Sequence, residues 1–151
     1  MTLLLVSLWL HLLGVVTWIG GLMYQAHVVL PAGRRGGAAP LPETLRRGRR
    51  VTWLAIALVV MTGFYNVTWL GPLDRVLQSG AALLLALKFM LVLVAVAVAG
   101  QRDFTQVPRL ARAVAAGEDP QPALSAIAWM DRAVLLLAVV IVYLGLAVSR
   151  A

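Results

Sequence analysis

The sequence contains no cysteine, a single lysine and only six acidic residues. Without cysteine there can be no disulfide framework, thiolate nucleophile, thioether-attached haem, Cys-ligated zinc or iron–sulfur cluster. Any metal or cofactor must therefore be held by His, Met, Lys, carboxylate or backbone groups.

The familiar catalytic motifs are also missing. The chain has no G-x-G-x-x-G, P-loop, H-E-x-x-H or G-x-S-x-G motif, so Rossmann-type hydride transfer, nucleotide hydrolysis, zinc proteolysis and serine hydrolysis have no support. It has no carboxylate pair and no carboxylate in the middle of an apolar span, so nothing indicates proton pumping. No internal repeat is evident.

What the chain has in excess is apolar residues. Of 151 residues, 62% are hydrophobic and only 13% are charged, with a mean hydropathy of +0.90. A soluble domain is far less apolar. The sequence therefore predicts an integral membrane protein of one domain, residues 1–151, whose immediate partner is the lipid bilayer.

Four stretches are long and apolar enough to cross a bilayer as helices, at about residues 3–29, 51–70, 81–100 and 128–148. Pro31 with Gly33, Gly71 with Pro72, Gly100 and the segment 117–122 supply the breaks between them. The first stretch lacks the basic start and small-residue cleavage site of a signal peptide. We expect an all-α membrane protein, a bundle of four transmembrane helices.

The net charge of +7 is distributed unevenly between these spans, and the arginines lack the interleaved aromatics of a nucleic-acid surface. Basic residues crowd the first and third connections: Arg34, Arg35, Arg46, Arg47, Arg49, Arg50, Arg102, Arg109 and Arg112. The opposite side carries only Arg75 and Arg150. Since basic loops stay in the cytoplasm, both termini and the Asp74–Arg75 turn are predicted to lie outside a bacterial-type inner membrane, with Trp53, Trp69 and Trp129 at the interfaces.

His11 lies about 12 Å into the first span. Ionisable groups at such depth are costly and are functional candidates by default, although a neutral histidine bonded to a neighbouring helix is the plainer alternative. Gly14, Trp18 and Gly21 follow on the same helix face. This face could receive a planar group such as haem, with His11 as the axial ligand, or simply a closely packed helix.

Lys88 lies about 11 Å into the third span, level with His11. Two costly residues at one depth suggest one shared polar site. Lys88 could pair with a haem propionate, approach a substrate as a catalytic residue, or bind iron as a neutral amine. Alternatively, it is a structural lysine bonded to helix carbonyls or water.

Three further residues are weaker candidates. Asn66 could hydrogen-bond a cofactor or a neighbouring helix. Met61 could bind iron or copper but more often such a residue fills a core. His27 lies about 24 Å along the same helix as His11, too far to share one metal ion. One interpretation is that His27 is a histidine at the membrane–water interface with no binding role. The other is that it forms a second metal or haem site.

Several stretches resemble known membrane proteins. The first-span run HLLGVVTWIGG (residues 11–21) is similar to the signature of copper-resistance D (CopD) domains and of the related HemJ-type membrane protoporphyrinogen oxidases. The second-span segments RRGRRVTWLAI and MTGFYN look like CopD members, and ALKFMLVLVAVA resembles the lysine-centred third helix of both groups. The resemblance covers nearly the whole chain.

This resemblance implies a four-helix membrane domain in which His11 matches the haem-ligating histidine of HemJ-type proteins and Lys88 matches their third-helix lysine. It implies haem b and redox chemistry on a quinol, a porphyrinogen or a small oxidant, or alternatively copper transport using His11, Met61 and His27. Two segments are missing from the pattern: the acidic-basic segment of HemJ-type proteins and the His/Met-rich segment of a copper importer. A cofactor-free partner subunit is the third alternative, and a homo-oligomer is compatible with the glycine-rich helix faces.

Overall fold

The computed structural model describes residues 2–69 and 81–148, so the Asp74–Arg75 turn, the Gly71–Pro72 break and Arg150 lie outside the described residues. It contains four long helices: α1 (Thr2–Gly36), α2 (Leu41–Val67), α3 (beginning with Ala81–Gln101 and ending with Val107–Ala116) and α4 (Gln121–Val148). Each is long and apolar enough to cross a membrane, and the described ranges hold no strand. The predicted all-α, four-helix membrane fold is confirmed.

Two of the helices contain one widened, π-helical turn each. In α1 this turn spans Gln25–Val29, and in α3 it spans Arg102–Gln106. Each turn closes with a bond across five residues and is followed almost at once by a proline, Pro31 or Pro108. Proline lacks an N–H, so a turn that skips one regular helical bond lets the helix continue past it.

These turns make the helices longer than the apolar stretches that predict them. The predicted breaks at Pro31 and Gly100 are wrong, because α1 continues to Gly36 and α3 runs through Gly100 to Ala116. The predicted place of Arg102 in a loop is wrong as well, since it is 3% exposed within α3. Among the described residues the connections left are the short segments 37–40 and 117–120.

The four helices pack as two hairpins, α1 along α2 and α3 along α4. Both hairpins turn at the same end of the bundle, which we call the basic end because exposed arginines gather there. We call the opposite end, where α1 begins, the N-terminal end. One buried apolar cluster joins all four helices at the basic end, and includes Leu30, Leu45, Leu110 and Leu124. A second cluster around Trp18 follows it along the bundle. Apolar packing between the hairpins is thus concentrated toward the basic end.

The two hairpins also share one pattern. In each hairpin, a histidine or lysine is followed at the same spacing by a polar residue in the widened turn and then by a proline. These residues are His11, Gln25 and Pro31 in α1, and Lys88, Arg102 and Pro108 in α3. Gln25 and Arg102, 77 residues apart, hydrogen-bond to each other. The two hairpins therefore share this spacing of residues, and a hydrogen bond joins the corresponding positions in their widened turns.

Candidate functional site

Polar residues inside the bundle form two groups at different depths. The first, which we call the histidine level, comprises His11, Thr62, Lys88 and Gly145, one from each helix. His11 Nδ1 lies 2.9 Å from Thr62 Oγ1 on α2. The helices α1 and α2 run antiparallel, and these two residues lie on the sides that face each other.

The hydrogen bonds around Thr62 fix the tautomer of His11. The Thr62 hydroxyl donates to the Leu58 carbonyl oxygen at 2.5 Å, so its proton is engaged within α2. It can then only accept from His11, whose Nδ1–H is the donor. With the proton on Nδ1, Nε2 is the nitrogen that carries the lone pair. Nε2 is therefore the atom of His11 able to bind a metal.

Lys88 belongs to the other hairpin and packs against Gly145 on α4. A Cβ added at Gly145 would lie 3.3 Å from Lys88 Nζ, so the missing side chain makes room for the amine. Within residues 2–69 and 81–148, nothing forms an ion pair or a hydrogen bond with Lys88. Lys88 is close enough to His11 for the two groups to interact electrostatically across the hairpins. The two residues that the sequence placed at one depth therefore lie within electrostatic range of each other, and a shared site stays a prediction.

The remaining residues of the predicted α1 face have different surroundings. A Cβ at Gly14 would lie 2.8 Å from Val59 Cγ2 and 3.2 Å from the Ala55 carbonyl oxygen. The space beside this glycine is therefore filled by α2, which packs closely against it. Trp18 is buried. Gly21 is exposed, and nothing lies within 4 Å of the position its Cβ would take. At Gly14, this face of α1 packs against a neighbouring helix, which was the alternative to a planar ligand there.

Three buried polar atoms near this face have no hydrogen-bond partner: Ser7 Oγ, Trp18 Nε1 and Asn66 Oδ1. Ser7 precedes His11 by one helical turn, and Asn66 follows Thr62 by one turn on the antiparallel helix, so both lie on the N-terminal side of the histidine. Buried polar groups are rarely left unpaired. These atoms leave polar capacity available to a ligand beside His11.

His27 and Met61 do not join the histidine level. His27 is exposed in the widened turn of α1, where its Nδ1–H donates to the Met23 carbonyl oxygen at 3.0 Å. Met61 is 72% exposed, whereas its neighbour Thr62 points to His11. The structure therefore does not assemble the set of His11, Met61 and His27 that a copper path was expected to use, and a second site at His27 stays a prediction.

The second group, the arginine cluster, comprises Gln25, Trp53, Arg102, Asp103 and Asp131 and again draws on all four helices. The Arg102 guanidinium donates to Asp103 Oδ1 and, at 2.5 Å, to Gln25 Oε1. Its Nε lies 2.6 Å from Asp131 Oδ1. Trp53 Nε1–H donates to Asp103 Oδ2 at 2.9 Å. The cluster ties the two hairpins together below the histidine level.

This cluster was missed from the sequence, which indicated neither a carboxylate pair nor a buried ion pair. Arg102 follows Gly100 and was expected in a loop, and Asp103 therefore with it. The signal that could have found it is the proline spacing, because Pro31 and Pro108 follow Gln25 and Arg102 at the same distance.

The two groups differ in what they can bind. The histidine level offers one imidazole nitrogen and one amine, which are nitrogen donors suited to copper or iron. The described residues contain no group of three or more His, Asp or Glu side chains arranged to hold a metal ion. The arginine cluster already contains its own cation. Metal chemistry, if present, belongs to the histidine level.

Comparison with known proteins gives one match. A family model described as Copper resistance protein D matches residues 42–148, which include α2 from its second residue, Lys88 and the arginine cluster except Gln25, but not α1. No curated protein and no solved structure matches the chain. The predicted CopD resemblance is confirmed over this range, while the HemJ-type resemblance and haem binding stay predictions.

Proposed function

Because the chain belongs to the copper resistance protein D family, we propose that it conducts copper ions within the membrane and that His11 is their intramembrane ligand. The observation that carries this proposal is the hydrogen bond from His11 to Thr62, which leaves the lone pair on Nε2 of this half-buried histidine available. A histidine held in one tautomer is a better metal ligand than a mobile one.

Lys88 would supply the second donor. In its neutral amine form, a lysine presents a nitrogen lone pair, and imidazole and amine nitrogens both suit copper. Two donors from different hairpins form an incomplete coordination sphere. Such a site suits an ion that passes through better than one that is stored, because conduction requires binding weak enough to be reversed.

A second candidate function is supported by the same lysine. As an ammonium, Lys88 would repel a copper ion at His11 but attract an anionic group. Haem b has such groups in its propionates, and its macrocycle supplies the iron ligands that the protein lacks. One free imidazole nitrogen, one cation and the unpaired atoms of Ser7, Trp18 and Asn66 therefore fit haem.

In this second candidate, His11 would hold the iron and Lys88 would pair with a propionate. Haem supplies one-electron redox chemistry when bound. Quinols, porphyrinogens and small oxidants are the substrate classes expected from the HemJ-type resemblance. Gly14 is already covered by α2, so any macrocycle would contact the faces of α1 that remain open, such as Gly21.

One preparation tests both candidates. The full-length protein, purified in detergent after expression with added copper, is analysed for copper by mass spectrometry and for haem by its absorption spectrum. We expect no Soret band, and about one copper ion per chain when the purified protein is equilibrated with copper before the measurement. His11→Ala should lose the copper, whereas His27→Ala, which changes an exposed histidine on the same helix, should keep it.

The other outcomes are equally definite. A Soret band that disappears in His11→Ala would replace the copper proposal with the haem candidate. Copper retained by His11→Ala would place the ligands elsewhere. Protein with neither copper nor haem would favour the third alternative, a cofactor-free partner subunit.

A further inference from the structure

The arginine cluster has an uneven charge count. Two carboxylates, Asp103 and Asp131, share one guanidinium, and all three side chains are at most 4% exposed. If both carboxylates were ionised, one negative charge would remain uncompensated in the protein interior. Burying such a charge is far costlier than burying a neutral carboxyl group.

The hydrogen bonds distinguish the two carboxylates. Both oxygens of Asp103 are satisfied, Oδ1 by Arg102 and Oδ2 by the Trp53 indole. Asp131 has no hydrogen bond of good geometry to either oxygen; Oδ1 lies only in ionic contact with Arg102 Nε, and Oδ2 has no partner. Asp103 is therefore placed as the ionised partner of Arg102, and Asp131 as the group that needs a further positive charge.

No other described group supplies that charge. The charged groups that act on Asp131 are Arg102 and Asp103, both from α3. The nearest contribution from α1 is the neutral amide of Gln25, since His27 is exposed and bonded to Met23. From α2, Trp53 is neutral and Arg49 lies over the Phe104 ring, 5.3 Å from its centroid. On α4 itself, Arg132 is exposed.

We propose that the arginine cluster is a proton-binding site, in which Asp131 takes up and releases one proton while Asp103 stays ionised against Arg102. The bond formed is an O–H bond on Asp131, and the proton is exchanged with water. Its release leaves a second carboxylate competing for the guanidinium that holds Gln25. The proton thereby controls the contact that joins the two hairpins, independently of what His11 binds.

The pH dependence of unfolding gives the first test, using the full-length protein in detergent. The folded state holds a proton on Asp131 that the unfolded state has already released, so raising the pH should destabilise the fold. The equilibrium constant for folding should fall by up to about tenfold per pH unit over the range in which the folded state keeps this proton and the unfolded state has lost it. Asp131→Asn should abolish that dependence, because asparagine mimics the protonated carboxyl group.

The two aspartates serve as matched variants. Below about pH 4, where this aspartate is protonated in the unfolded chain as well, Asp131→Asn should be as stable as the wild type, and at higher pH it should be more stable. Asp103→Asn should be less stable than Asp131→Asn throughout, because it removes the carboxylate that accepts from both Arg102 and Trp53. The reverse order, or an Asp131→Asn protein that does not fold, would overturn the proposal.

Infrared difference spectroscopy identifies the proton directly. With 13C-labelled aspartate, the wild type should lose a protonated-carboxyl C=O band as the pH rises, and Asp131→Asn should not show this band. If the wild type has no such band, and its stability instead depends on the concentration of Na⁺ or K⁺ at fixed pH, then the positive charge is a metal cation and the proton site is refuted.

Discussion

A histidine or lysine inside a membrane can bind a ligand only through those of its nitrogen atoms that neighbouring residues do not already hydrogen-bond. Thr62 engages Nδ1 of His11, and this bond determines that Nε2 is the available nitrogen. Gly145 makes room for Lys88 without offering it a side-chain partner. In the arginine cluster, by contrast, the side chain of Arg102 already has acceptors around it, namely Gln25, Asp103 and Asp131. The histidine level therefore retains binding capacity that the arginine cluster has largely used.

Two substitutions of Lys88 separate a nitrogen donor from a positive charge. Lys88→Leu removes both properties, whereas Lys88→Arg keeps the charge but has no lone pair to offer, because arginine stays protonated in proteins. If Lys88 binds copper as an amine, both variants should lower copper affinity by at least about tenfold, the lower limit even for residues that only support a ligand. Copper titration of the purified variants measures this.

Arg112→Leu, which removes an exposed arginine at the basic end, is the control and should bind copper like the wild type. Haem retained by Lys88→Arg but weakened in Lys88→Leu would instead identify a propionate partner. If both Lys88 variants keep wild-type copper affinity and gain thermal stability, Lys88 is a structural residue whose buried charge the fold tolerates.

At the scale of helices, close packing and widened turns decide where side chains meet. Gly14 lets α1 approach α2 near the histidine level, and this approach brings His11 within reach of Thr62. The widened turns at Gln25–Val29 and Arg102–Gln106 shift the helical register beyond them. Such turns are frequent at functional sites, and here both contribute a residue to the arginine cluster.

The close approach at Gly14 predicts a specific loss of stability. In Gly14→Ala the new methyl group would meet Val59 and the Ala55 backbone, and overpacking of this kind costs about 1–3 kcal/mol. Gly21→Ala is the matched change on the same helix; it meets nothing and should leave stability unchanged or raise it by up to about 1 kcal/mol. Thermal unfolding in detergent, followed by circular dichroism, compares the two. Equal stabilities would mean that α1 and α2 do not pack closely at Gly14.

At the scale of the whole molecule, two helical hairpins pack together, and both polar groups draw residues from both of them. Buried apolar clusters join the hairpins toward the basic end, and the arginine cluster adds hydrogen bonds across their interface. At the histidine level the described link is the electrostatic interaction of His11 with Lys88. A ligand that needs both residues would therefore bind between the two hairpins.

The charge asymmetry predicts the orientation of these units. The exposed arginines of the basic end should face the cytoplasm of a bacterial-type cell, with both termini outside the inner membrane. The burial of Arg102 removes one residue from this count but does not reverse it. Alkaline phosphatase fused after Ala151 should be active, and green fluorescent protein at the same position should be dark. A fluorescent, phosphatase-inactive pair of fusions would place the C terminus inside.

Much of the fold could be predicted because it depends on composition and on local sequence. Apolar stretches of sufficient length determine four membrane-spanning helices, since a backbone in lipid must satisfy its own hydrogen bonds. The depths of His11 and Lys88 follow from the helical rise alone, and their proximity was predicted on that basis. Helix ends were harder to predict, because Pro31 and Gly100 normally end a helix and the widened turns that carry α1 and α3 onward depend on surrounding packing.

The sequence by itself determined the class of protein, the family over residues 42–148 and the two residues of the histidine level that can donate nitrogen. Only the tertiary structure decided which nitrogen of His11 is free, that Gly14 is filled by α2, and that Arg102 joins Asp103 and Asp131. The physical reason is that hydropathy and depth act along each helix separately. Hydrogen bonds and charge balance depend on the rotation of neighbouring helices about their axes, which packing sets.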